Sequence, residues 1–123
     1  MATTVLTGAT LGDTVKDSEI VLVDFWATWC GPCKMFGPIF EKASEEHPEI
    51  VFGKVDTDAE QDLAAEFQIT SIPTLMAFRE GILVFSQPGA LPAPMLKQVI
   101  DSVKGLDMDE VRAQISQRET ATA

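Results

Sequence analysis

The sequence predicts one α/β domain, a mixed β-sheet with helices packed on both of its faces. Three observations carry that expectation. Apolar runs of strand length alternate with segments of helical periodicity through the first half of the chain. Two later apolar runs are joined by only Arg79-Glu80-Gly81, a hairpin spacing. The 123 residues, 46% of them hydrophobic, suit one packed core of ordinary size.

The elements follow in order. Leu11 and Val15, four apart, suggest a short helix within Thr10 to Glu19. Ile20 to Trp26 is apolar at every position but Asp24 and rich in β-branched residues, as in a strand buried on both faces. After a Cys30-Gly31-Pro32-Cys33 turn, Phe36, Ile39, Phe40 and Ala43 recur at helical spacing, and Pro38 should kink that helix. Ile50 to Val55 reads as another strand, and Thr57-Asp58-Ala59-Glu60 as a capping box opening a helix to about Phe67. Thr74 to Phe78 and Ile82 to Gln87 are the hairpin strands. Leu96, Val99, Ile100 and Val103 mark an amphipathic helix that Gly105 can end. These elements predict a domain over residues 1–105 and an extension over 106–123. In the extension, Asp107 to Gln117 reads as a helix with Leu106, Met108, Val111 and Ile115 in an apolar stripe, followed by a frayed tail from Arg118.

Charge excludes several functions. Nine Lys and Arg against 19 Asp and Glu leave a formal net charge of −10. Nucleic acid and anionic membrane surfaces both require clustered cations, so neither is an expected partner. No run approaches the ~20 apolar residues of a membrane span. Met1 to Thr14 carries no Lys or Arg and no long apolar run, so it does not read as a secretory signal, and the expected location is cytoplasmic.

The chain has two cysteines, Cys30 and Cys33. A bridge across so short a loop removes little unfolded-chain entropy, so it is a poor staple but an easily reversed bond. At the start of a helix, unpaired amides and the helix dipole favour a Cys30 thiolate, the form that attacks disulfides. Cys33, one turn later, is placed to attack Cys30 after a mixed disulfide forms. These positions predict an exposed Cys30 with Cys33 buried behind it. Pro32 occupies the first turn, where its missing donor costs nothing. Gly31 keeps the sulfur uncrowded, and Trp29 can cover one side. Zinc is the competing use of a Cys-x-x-Cys turn, but a closed site needs four ligands. His47, the single histidine, lies at the far end of the following helix and reads as a surface residue, so no metal is expected.

Asp24 is the second signal. A carboxylate inside an apolar strand is costly, and desolvation should raise its pKa into the range where it can take and return a thiol proton. An edge residue reaching solvent is the alternative.

Val23-Asp24-Phe25-Trp26-Ala27 followed by Trp29-Cys30-Gly31-Pro32-Cys33-Lys34 resembles the active-site segment of the thioredoxin family. Lys54-Val55-Asp56, Ser71-Ile72-Pro73-Thr74 and Pro88-Gly89-Ala90 match further family segments in order, so the resemblance extends to about Gly105. It implies the thioredoxin fold, Cys30 as attacking and Cys33 as resolving sulfur, and Asp24 as a buried proton carrier with Lys54 near it. It further implies a cis Pro73 beside the dithiol and substrate contacts from Ile72, Pro73 and Gly89. The implied activity is reduction of protein disulfides by a monomer recharged by a thioredoxin reductase, with the Cys30–Cys33 disulfide as redox centre and no bound cofactor. Gly31-Pro32 resembles the reducing branch; oxidants of this fold tend to carry a histidine there. A redox-independent binding module or chaperone-like subunit is the reading from another class. Phe36-Gly37-Pro38 departs from the family's small and aliphatic residues before the proline. Trp26 reads as packing support and Lys34 as a solvated helix residue.

Overall fold

A computed structural model of the chain describes residues 2–122, with side chains described as far as Arg118. Its elements are β1 (Thr3–Val5), α1 (Leu11–Asp17), β2 (Ile20–Trp26), α2 (Gly31–Glu46), β3 (Val51–Asp56), α3 (Gln61–Glu66), β4 (Thr74–Arg79), β5 (Ile82–Pro88), α4 (Ala93–Lys104) and α5 (Met108–Thr122). They form a five-stranded sheet in the order β1-β3-β2-β4-β5. β1 and β2 flank β3 in parallel, whereas β4 runs antiparallel to β2 and to β5. The expected mixed sheet is therefore present.

β2 lies at the centre, and alternation along it sorts the core into two layers. Ile20 and Leu22 join Phe36 and Phe40 of α2 and Leu96 and Ile100 of α4 on one face. Val21, Val23 and Phe25 join Leu11 of α1 and Leu63 of α3 on the other. Asp24 shares the parity of Ile20 and Leu22, so it points toward the α2 layer. The hairpin turns at Glu80 and Gly81, both at positive φ (51° and 82°), the backbone that a two-residue turn between twisted strands requires.

Several elements differ from the sequence expectation. β1 was not anticipated: it has three residues, of which only Val5 is apolar, and it is held by backbone pairing to Phe52, Gly53 and Lys54. Thr57 does not cap a helix. Its N–H and hydroxyl both donate to the Trp26 carbonyl, at 2.9 and 3.1 Å, while Asp56 Oδ1 accepts from the Asp58 N–H at 2.9 Å. Those bonds form a polar turn, and α3 begins only at Gln61. α5 continues beyond Gln117 to Thr122, because no Gly or Pro interrupts residues 108–122; Ala123 lies outside the described residues. In α5 Met108 is buried and Val111 and Ile115 are half-buried, with Leu106 half-buried just before it. Arg79 of β4 secures the approach to α5, since its Nη1 donates to the carbonyls of Val103, Lys104 and Leu106 at 2.7–3.0 Å.

Candidate active site

The end of β2 delivers the chain to the start of α2, and Cys30 is the residue at which the helix begins. Its backbone is still extended (φ −87°, ψ 115°), which makes it the N-cap of α2, with Gly31 and Pro32 opening the helix. The Cys30 sulfur accepts a hydrogen bond from the Cys33 N–H at 3.2 Å, the capping interaction that serine or aspartate oxygens usually supply. Cys30 and Cys33 are joined as a disulfide with their Cα atoms 5.3 Å apart.

The exposure expected for Cys30 is not what the disulfide form shows. Cys30 is 4% exposed and Cys33 6%. The bridge draws both sulfurs into a small apolar cluster with Ala27, Trp26 and Ile72. What separates the two cysteines is the amide: Cys30 is the sulfur that receives it.

The remaining residues singled out in the sequence fall around this pair or along the elements that lead to it. The Ile72–Pro73 peptide is cis, and the Ile72 carbonyl oxygen is 3.6 Å from the Cys30 sulfur. Gly89 has φ +102°, open to glycine alone at no cost, and its N–H donates to the Pro73 carbonyl at 2.8 Å. A Cβ at Gly31 would meet nothing within 4 Å, so the approach to the sulfur on that side is open. Trp29 is 69% exposed rather than folded over the dithiol, and its indole N–H donates to Asp58 Oδ2 at 2.9 Å. Lys34 is exposed on α2. His47 is half-buried at the far end of α2, with Nδ1 3.8 Å from Glu49.

Asp24, on the strand that leads to the dithiol, is 1% exposed, and neither carboxylate oxygen has a hydrogen-bond partner among the described residues. Burial pushes its pKa up to about 7, against a smaller opposite pull from Lys54. Lys54 pairs with Asp24 across β2 and β3, but its ammonium points to the Trp26 ring, 5.1 Å from the centroid. A cavity of about 460 Å³ opens beside Cys33, lined by Trp26, Thr28, Cys33, Gly37, Glu41 and Lys54 among others. Sequence reasoning did not single out Asp58 or Glu41. An acid in a turn or on a helix face carries no distinguishing pattern in a chain with 19 of them. No cluster of three or more metal-ligating side chains occurs among the described residues.

Comparison with known proteins bears on the same residues. A family model described as Thioredoxin matches residues 2–102. "Putative thioredoxin 2" of Streptomyces coelicolor is 55% identical over 118 residues, which are 96% of this chain and 88% of that protein. That match is longer than the family model and takes in most of the extension. A "Bifunctional thioredoxin reductase/thioredoxin" of Mycobacterium leprae is 43% identical over 77% of this chain and 21% of its own length. Among solved structures, a mutant thioredoxin from Halobacterium salinarum superimposes with a TM-score of 0.77 at 35% identity, covering 84% of this chain and 91% of that one.

Proposed function

The chain belongs to the thioredoxin family, and from that premise we propose the roles of its residues in the disulfide exchange it carries out. It is a thiol–disulfide oxidoreductase that reduces protein disulfides through the Cys30–Cys33 pair. Cys30 is the nucleophile. Its thiolate, favoured by the Cys33 amide and the α2 N-terminus, attacks one sulfur of the substrate. The substrate's S–S bond breaks, a Cys30–substrate disulfide forms, and the first substrate thiolate leaves and takes up a proton.

Cys33 resolves this intermediate. Its thiol passes a proton to the Asp24 carboxylate, and its sulfur attacks Cys30. The second substrate thiolate leaves with a proton, and the Cys30–Cys33 disulfide remains. Two electrons have moved to the substrate. Asp24 suits this step because a carboxyl with a pKa near 7 both accepts and returns a proton at neutral pH. Trp29, Gly31, Pro32, Ile72, Pro73 and Gly89 form the docking surface, with the Ile72 carbonyl beside Cys30 available to a substrate backbone.

A thioredoxin reductase restores the dithiol. The M. leprae relative, whose name joins a reductase to a thioredoxin, supports that partner. We place the protein in the cytoplasm as a monomer that transports electrons to varied substrates, on the strength of its acidity and its two cysteines.

The observation that carries the reading is a cysteine pair whose first member caps α2, beyond a central strand that buries a carboxylate with no hydrogen-bond partner among the described residues. Cys33→Ser should trap substrates as mixed disulfides on Cys30, seen as reductant-sensitive adducts by intact mass after incubation with oxidised insulin. Adducts on Cys33 in a Cys30→Ser variant, and none in Cys33→Ser, would reverse the two roles. Full biological activity of the double serine variant would favour the binding-module reading.

A further inference from the structure

Four buried side-chain polar atoms lack a hydrogen-bond partner among the described residues. One is Arg79 Nε, 3.9 Å from a Glu80 oxygen. The other three are carboxylate oxygens: both of Asp24, and Oε1 of Glu41. Buried anionic oxygens without donors are expensive unless a cation is near. Lys54 is the cation common to both residues. It pairs in register with Asp24, and it lines the cavity beside Cys33 together with Glu41.

The local sequence brings these groups to one cavity. Lys34, Gly37 and Glu41 follow one another at +3 and +4 along α2, so they form one stripe facing the cavity. A Cβ at Gly37 would stand 3.8 Å from Lys54 Nζ, an ordinary contact distance, so the ammonium lies close against this turn of α2. Lys54 forms no salt bridge among the described residues and rests over Trp26. Glu41 itself is fixed by its other oxygen, which accepts from Thr3 Oγ1 of β1 at 2.7 Å.

We propose that Glu41 is a positioning residue: it shares the Lys54 ammonium with Asp24 and thereby governs how readily Asp24 gives up its proton. The proposal rests on the reading of Asp24 as proton carrier only for its consequence in catalysis. Four charged or titratable side chains line this cavity, whereas Lys42, Glu46 and His47 of the α2 region line a separate one against α4. Lys54 comes from β3, and Cys33, Lys34 and Glu41 come from α2. β4 contributes none opposite Asp24, which pairs with Leu75. The α4 charges are engaged at the surface, Lys97 with Asp101 and Lys104 with Glu49.

With Glu41 present, part of the Lys54 field is spent on a second carboxylate. Removing that charge leaves Lys54 to Asp24 and makes Asp24 more acidic. The test follows the Asp24 carboxyl directly, by carbon NMR across pH, in the native protein, Glu41→Gln, Lys54→Met and the double variant. Glutamine keeps an oxygen for Thr3. Glu41→Gln should lower the Asp24 inflection by about half a pH unit or more. In the Lys54→Met background, the same substitution should produce less than half that shift, because the shared cation is gone. An unmoved inflection would overturn the proposal, and so would an equal shift in both backgrounds. Insulin reduction against pH separates this from the catalytic reading. If the carboxyl inflection moves and the rate profile does not follow, the Glu41–Lys54 coupling stands and the role of Asp24 falls.

Discussion

At the scale of single residues, Asp24 has the largest energetic consequence. Its carboxyl titrates near 7 in the fold, well above an ordinary carboxylate. Between those values the folded chain holds a proton that the unfolded chain has released. The associated stability is therefore fully present below the ordinary carboxylate value, falls as pH rises, and is lost above about 7. A displacement of roughly three pH units corresponds to about 4 kcal/mol at most. Asp24→Asn removes the ionisable group while keeping its shape. It should stabilise the protein by about 2–4 kcal/mol at pH 8 and hardly at all at pH 4, measured by denaturant unfolding at both values. Turnover on insulin should fall in the same variant, most above neutral pH, where the native carboxyl is ionised and the proposed proton acceptor is in its accepting form. Equal stability changes at pH 4 and 8 would show that the carboxyl is not desolvated.

At the scale of elements, the loops on either side of the sulfur matter most. Gly89 joins β5 to the Pro73 turn through one hydrogen bond, at a φ that other residues adopt only under strain. A Cβ there would touch nothing, so Gly89→Ala tests the backbone alone. It should cost about 1 kcal/mol of stability and raise KM for a protein disulfide while leaving reaction with a small aromatic disulfide little changed. Comparable losses on both substrates would mean that this turn supports the dithiol rather than docks the substrate. The elements also show how far the sequence was legible. β2 could be read to its ends because Ile20 to Trp26 is apolar except at Asp24. Asp24 stood out as a charge within that run, and Cys30 and Cys33 by their close spacing where a strand gives way to a helix. β1 was hidden because three residues of Thr-Thr-Val carry no period, and only the backbone of β3 defines them. The Thr57 pattern misleads because the carbonyl of Trp26, remote in sequence, claims the hydroxyl. Glu41 was invisible for a similar reason: its significance comes from a lysine on another element, across the cavity that both of them line.

At the scale of the molecule, the chain beyond α4 is fastened at the far end of the β4 strand from the dithiol, where Arg79 gathers three carbonyls and Arg112 reaches Glu80 at 2.7 Å. Truncation after Gly105 removes the Leu106 carbonyl and the buried Met108. It should lower Tm by about 5–10 °C and leave turnover on a small disulfide unchanged, with calorimetry and a thiol-release assay as the checks. A loss of turnover without a loss of Tm would place the extension in the site. The N-cap of α2 bears on how readily the cysteine pair parts with its electrons. The helix offers the Cys30 sulfur one amide among the described residues, from Cys33. Every added donor would favour the thiolate, hence the dithiol over the disulfide, and would raise the reduction potential by about 30 mV for each 1.4 kcal/mol. A helix start with several such donors would hold its electrons back, whereas a single amide leaves the pair the readier donor.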